Sequence, residues 1–216
     1  MIVGMWMTRD LVTIGPDTPI NEAAALMAQK RILRLPVVES PSHHAHLLGI
    51  VTAKDILHAF PSGVNPFAII GPDARLTPTR MSEIMSHHLQ TATPEMPIEE
   101  AARLMTENKI GALPVLRDRK LVGLITESDI FRAFVSFFEP PERGARITFD
   151  ISSGEDVFDF ISREGRRRKL RILSLVSSQQ DNLPVCVVRI AGNNVDALLE
   201  DLWTSGHRVI NVLRFD

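Results

Sequence analysis

The chain has 216 residues, 44% of them hydrophobic and 23% charged, the balance of a folded globular protein rather than a disordered one. Its 24 Lys and Arg against 26 Asp and Glu leave a formal net charge of −2, so no global field draws it to nucleic acid or an anionic membrane. Cys186 is its single cysteine, which excludes an intrachain disulfide.

In chain order, Leu11 to Ile14 reads as a short extended segment. Thr18-Pro19 then offers a helix start, a hydroxyl cap followed by proline at the first turn. Ile20, Ala23, Ala24, Met27 and Arg31 share one face at the 3/4 spacing of a helix. Two apolar strands follow, Leu35 to Val38 and Leu48 to Thr52, and a helix from Lys54 to Phe60 closes the unit. Pro61 to Pro78, rich in Pro and Gly, reads as a connecting loop. The order then returns: extended Leu89 to Thr93, a helix with Ile98, Ala101, Ala102, Met105 and Lys109 on one face, strands Leu113 to Leu116 and Leu121 to Thr126, and a helix from Ser128 to Phe138. In this second copy Met96 stands at the cap position and has no side-chain acceptor to offer.

The residues repeat as well as the elements. Met7-Thr8-Arg9-Asp10-Leu11-Val12-Thr13 returns as Met85-Ser86-His87-His88-Leu89-Gln90-Thr91, and the stretch from Pro19 to Met27 as Pro97 to Met105. Leu35-Pro36-Val37 matches Leu113-Pro114-Val115, and Gly49 to Ile56 matches Gly123 to Ile130. The chain therefore holds two copies of one β-α-β-β-α unit. Two are too few for a solenoid, which needs about 3 or more repeats, so a face-to-face pair with a shared cleft is expected.

Beyond Glu139-Pro140-Pro141-Glu142-Arg143-Gly144 the pattern changes. Arg146 to Ile151 alternates as a half-buried strand, and Glu155 to Arg163 has helical spacing. Leu170 to Val176 and Pro184 to Ile190 are strands, Asn194 to Trp203 a helix ended by Gly206, and Arg208 to Phe215 a last strand. This β-α-β-β-α-β order is the split βαβ, or ferredoxin-like, arrangement.

Each repeat resembles a CBS domain, through its Met-x-x-x-Leu-x-Thr opening, Pro-Ile-x-Glu-Ala-Ala helix, Leu-Pro-Val strand and closing Gly-h-h-Thr-x-x-Asp (h, apolar). The pair resembles a Bateman module. Gly165…Leu173-Ser174-Leu175 and Gly192-Asn193…Leu199…Gly206-His207-Arg208-Val209 give the last third a resemblance to an ACT domain. The whole order resembles the AcuB type of acetoin-utilisation protein. The fold implied is α+β: CBS domains at 1–60 and 79–138, linkers at 61–78 and 139–145, and a ferredoxin-like, ACT-like domain at 146–216.

The resemblance implies an adenosyl ligand (AMP, ADP, ATP or a relative) in the cleft of the pair, its ribose held by Thr52 with Asp55 and by Thr126 with Asp129. A carboxylate in the first turn of a helix is favoured by the helix dipole and can accept from two sugar hydroxyls. The same residues can instead cap their own helices and end their strands. Adenine and phosphate contacts are expected near Val12, Thr13 and Arg34 at one site and near Gln90, Thr91 and Ala112 at the other. Lys54 beside Asp55, where Ser128 stands beside Asp129, predicts that the Asp55 site prefers phosphorylated nucleotides and the Asp129 site a less charged ligand.

Other signals carry less. His43-His44-x-His46 sits in a polar hairpin insert and His87-His88 reads as surface, with no ligand set for a metal. Arg166-Arg167-Arg168-Lys169 lacks aromatic interleaving, and cations suit a helix C-terminus, which argues against nucleic-acid binding. The Asp150 to Asp156 stretch departs from the Asp-x-x-Gly of amino-acid-binding ACT domains, so this third is expected to pair rather than to sense. No catalytic motif, cofactor motif, leader at Met1 or membrane span is legible. The expectation is a cytoplasmic, non-enzymatic, homodimeric regulator that senses an adenosyl small molecule and reports it to an unnamed partner enzyme. The alternative is a constitutive scaffold or enzyme subunit with vestigial sites.

Overall fold

A computed structural model describes residues 1–40, 45–60, 67, 79–139, 143–154, 156–180 and 183–215. The chain forms two compact units, Met1–Ala133 and Phe134–Asp216. Most of the connecting loop at 61–78, with His43, His44 and Glu155, lies outside the described residues.

The first unit holds both repeats. A 3-10 turn at Val3–Met5 precedes α1 (Ile20–Lys30), β1 (Arg34–Val38), β2 (Leu47–Thr52) and α2 (Ala53–Ala59). A short α3 (Met81–Ile84) precedes α4 (Ile98–Asn108), β3 (Ala112–Arg117), β4 (Lys120–Thr126) and α5 (Glu127–Phe138). Each repeat contributes one antiparallel hairpin, with Leu35 opposite Val51 and Leu113 opposite Ile125. The helical faces pack as their spacing requires: Ile20, Ala23, Ala24 and Met27 in α1 and Ile98, Ala101 and Met105 in α4 are buried.

Three local expectations change. The extended segments before α1 and α4 form no ladder; each makes a single parallel bridge to its own hairpin, Ile14 with Val37 and Ala92 with Val115. Thr18 does not cap α1, nor Met96 α4; the N-caps are Pro19 and Pro97, without side-chain bonds. Backbone from elsewhere supplies the missing acceptors: Ile20 N donates to Thr79 O and Ile98 N to Met1 O, each at 3.1 Å. Arg31 and Lys109 lie past the helical faces, as C-caps in the left-handed region with φ of 54°.

Those backbone partners reveal an exchange. Residues before α1 serve the second repeat: Thr8 and Leu124 trade hydrogen bonds at 2.9 Å, and Val3 and Met7 enter the core of Met105, Leu113 and Ile125. Residues before α4 serve the first repeat: Ser86 and Ile50 trade bonds at 2.9 and 3.2 Å, and Met81 joins Ile20, Met27, Leu35 and Ile56. Each opening segment thus begins on the other copy's hairpin and ends on its own.

The second unit takes in the last turns of α5, then β5 (Gly144–Asp150), α6 (Val157–Arg168), β6 (Arg171–Gln180), β7 (Leu183–Ala191), α7 (Val195–Thr204) and β8 (Val209–Phe215). Its antiparallel sheet has the order β6-β7-β5-β8, the split βαβ arrangement. Both helices contribute to one core, where Phe160, Ile161, Leu198 and Leu202 meet Ile147, Phe149, Val188 and Ile190. Strand β5 begins two residues before the expected Arg146, because Ala145 is fully buried in that core. Helix α6 starts later, with Asp156 accepting from Asp159 N at 3.0 Å, and runs on to Arg168. The basic run occupies its last turn, and the half-buried Arg168 forms ion pairs with Glu164 and Asp201. Arg189 donates to the Phe137 carbonyl near the C-terminal end of α5.

Candidate functional site

Thr52 ends β2 and N-caps α2, and the carboxylate of Asp55, three residues on, folds back on it. Asp55 Oδ2 accepts from Thr52 N at 2.8 Å and from Thr52 Oγ1 at 2.7 Å, while Asp55 N reaches Thr52 Oγ1 at 3.4 Å. This is a capping box, which satisfies donors that the helix start would leave open. Thr126 and Asp129 repeat it at 2.8, 2.7 and 3.3 Å. The capping alternative is therefore realised in both copies.

The copies differ in what remains of the carboxylate. Asp55 is half-buried, and its Oδ1 has no partner among the described residues. Asp129 is buried at 5% exposure, and its Oδ1 takes the guanidinium of Arg132. Among the described residues one acceptor is unpartnered in the first copy, whereas in the second it is filled by its own helix.

Asp55 lines a cleft of about 670 Å³ formed where the repeats meet. Thr52, Lys54, Arg34, Gln90 and Ala112 line it too. The structure thus groups the first copy's Thr-x-x-Asp close with the second copy's opening stretch, which the sequence alone assigns to separate sites. The exchange of opening segments is the reason, since residues 88–90 cross from Ile50 toward Val115 along this wall. Val12, Thr13, Thr91, Thr126, Ser128 and Asp129 do not line it. Val12 packs on the first core, and Thr13 and Thr91 are half-buried.

Ser86, His88, Asn108 and Lys109 are lining residues that sequence reasoning misses. His88, expected on the bare surface, is exposed but faces this cleft. Lys109 arrives because its left-handed conformation turns the chain out of α4 at the seam. A basic residue at the matching helix end of both copies, Arg31 and Lys109, was the available signal.

Among the described residues Arg34, Lys54 and Lys109 give the cleft three cations, set against the one carboxylate of Asp55. Leu33, Ile50, Ile110 and Pro114 supply apolar wall. A flat apolar ring, a vicinal diol and an anionic tail each find a complementary surface here. Among the described residues no cluster of His, Cys, Asp and Glu could hold a metal, and no helix is long and apolar enough to cross a membrane.

Known proteins agree with this architecture. The family model described as "CBS domain" matches residues 3–62 and 81–136. A homoserine O-acetyltransferase of Methanohalobium evestigatum is 36% identical over 132 residues, which are 61% of this chain but only 24% of that enzyme. The chain thus spans about a quarter of that relative's length. Among solved structures, the CBS domain pair of protein MJ0100, in complex with 5′-methylthioadenosine and S-adenosyl-L-methionine, superposes with a TM-score of 0.52 at 28% identity. That match covers 63% of this chain and 97% of the other. An acetoin utilization protein (AcuB) from Vibrio cholerae superposes with a TM-score of 0.52 at 31% identity, covering 64% and 93%. The paired repeats, their exchanged segments and the matching family model place this chain in the CBS domain family.

Proposed function

We propose that the chain is a regulatory sensor that binds an adenosyl ligand in the Asp55 cleft, with a preference for a phosphorylated one. The observation that carries this reading is Asp55 Oδ1, unpartnered among the described residues, on a wall shared with Arg34, Lys54 and Lys109. Asp55 accepts from the ribose hydroxyls, Thr52 holds Asp55 in place, and the cations meet the phosphate. Backbone and apolar side chains at Leu33, Gln90, Ile110 and Ala112 flank the base. The second site, at Thr126, Ser128 and Asp129 with Val12 and Thr13, takes a less charged adenosyl compound. The adenosyl ligands of the MJ0100 pair support this choice of chemistry.

Ligand closure of the pair is passed on by a homodimer, with the C-terminal unit acting as an ACT-like pairing domain in the cytoplasm. The order β6-β7-β5-β8 supports the ACT-like assignment, and the Vibrio cholerae neighbour supports an acetoin-utilisation setting. The rival reading, a scaffold with vestigial sites, has the capping boxes in its favour, because they account for both aspartates without a ligand.

Calorimetry with AMP, ATP and S-adenosylmethionine tests the reading. Losing the charge-assisted contact in Asp55→Ala should cost AMP roughly 1.5–3 kcal/mol. Lys54→Ala should narrow the preference of ATP over adenosine. If wild type and both variants give no heat with any of these compounds, the scaffold reading stands instead.

A further inference from the structure

Leu33 and Gly111 hold matching places in the two repeats, each two residues before the Leu-Pro-Val run. Their backbones are bonded alike, with Ala53 N donating to Leu33 O at 2.9 Å and Glu127 N to Gly111 O at 3.2 Å. Gly111 is not among the glycines of positive φ. Neither hydrogen bonding nor backbone conformation therefore calls for glycine there. Space does. A Cβ on Gly111 would stand 2.2 Å from Arg34 Nη2 and 3.3 Å from Arg34 Cζ, so the guanidinium of the first repeat lies over the bare Cα of the second. Glu127 Oε2 is 2.8 Å from the same point, but Glu127 is exposed and can turn into solvent, whereas Arg34 is half-buried. Both Arg34 and Gly111 line the Asp55 cleft. No carboxylate among the described residues forms an ion pair with Arg34, so its charge is available to a ligand.

We propose that Gly111 is a positioning residue for phosphate recognition: its bare Cα seats the Arg34 guanidinium in the cleft and so sets the preference for phosphorylated over unphosphorylated adenosyl ligands. The inference rests on the sensor reading above and adds to it a residue without charge or side chain. A planar guanidinium recognises phosphate through paired donors whose direction matters, so a shift of its plane weakens the contact although the charge remains. The atoms that an alanine would meet at Gly111 are the far ends of two side chains and not backbone. The fold can therefore take the methyl group, and the guanidinium is what must move. Leu33, at the matching place in the first repeat, is 65% exposed and shows that the backbone itself accepts a large side chain there.

Calorimetry on the full chain with AMP and adenosine as probes tests the role, read as the ratio of their affinities. Arg34→Ala should cut the preference for AMP about tenfold or more, the loss of a charge-assisted contact. Gly111→Ala should cut it about threefold or more, a part of the same loss. In an Arg34→Ala background Gly111→Ala should change the ratio by less than about twofold, because the two act through one contact. Arg34→Lys, whose slimmer head keeps the charge, should make Gly111→Ala equally silent. If Gly111→Ala leaves the ratio of wild type unchanged, or lowers it as much without Arg34 as with it, the positioning role is overturned and the sensor reading survives. The same holds if wild type binds both probes equally. Should Gly111→Ala show no cooperative urea transition, the double variant with Arg34→Ala must restore one; if it does not, glycine serves the backbone and the role is overturned. If neither probe binds wild type, both readings fall.

Discussion

Met85 lies so close to Gly49 that a Cβ there would stand 2.6 Å from its sulfur, and Met7 meets Gly123 at the same 2.6 Å. These are the first residues of two motifs, the Met-x-x-x-Leu-x-Thr opening and the Gly-h-h-Thr-x-x-Asp close, and each opening docks on the other copy's close. The glycines are explained by this approach: the incoming backbone, at Ser86 O and Thr8 O, would also lie within 2.9 and 3.0 Å of an added Cβ.

Gly49→Ala and Gly123→Ala should each lower stability by about 1–3 kcal/mol, the usual cost of overpacking a close-packed contact. Urea unfolding measures this. In a Met85→Ala background Gly49→Ala should cost less, though not nothing, because the Ser86 carbonyl remains. Strict additivity within about 0.5 kcal/mol would mean that the sulfur is not the obstacle.

The two capping aspartates should differ in what they contribute to stability. Asp129 is buried and accepts from Thr126 N, Thr126 Oγ1 and Arg132, so Asp129→Ala should cost roughly 1–3 kcal/mol. Asp55 is half-buried, and water can replace part of what it gives, so Asp55→Ala should cost about 1 kcal/mol, an ordinary cap. Thermal or urea melts of the unliganded variants decide the order. Equal losses would show that Arg132 adds nothing.

Burial raises the Cys186 thiol above its ordinary range, against a smaller opposing hydrogen bond with Ser177. An acid with a raised pKa in the fold is neutral there while the unfolded chain already ionises. Its stability contribution is therefore complete below the unfolded thiol's pKa of about 8.5 and is lost as pH rises through the folded value. Urea midpoints should fall from about pH 8.5 upward in wild type, and more gently in Cys186→Ser. A thiol reagent at about pH 8, just below that unfolded value, should react with the native chain only at the rate of unfolding. Rapid native labelling would contradict the burial of Cys186 at 3% exposure.

Much of the architecture was legible because it is written in local pattern. The 3/4 spacing of Ile20, Ala23, Ala24 and Met27 can bury only one side of a helix, and the recurrence in Ile98, Ala101 and Met105 fixes a second. The element order after Gly144 was legible for the same reason, with helical ends shifted where a cap decides, as Asp156 does for α6. The site was only half legible. Asp55 and Lys54 follow from the Thr-x-x-Asp motif, but Lys109, His88 and Ser86 come from distant segments that no local spacing links to it.

Local pattern is enough to show that one unit occurs twice, which faces of its helices are apolar, and that each close carries a hydroxyl and a carboxylate three residues apart. Packing of the two repeats settles which copy each opening segment serves, that backbone rather than Thr18 starts α1, and that Arg132 takes the second oxygen of Asp129 while, among the described residues, that of Asp55 has no partner. The reason is physical. Periodicity and capping are properties of neighbours along the chain, whereas the choice between two nearly identical hairpins depends on side chains that meet only when both repeats are packed.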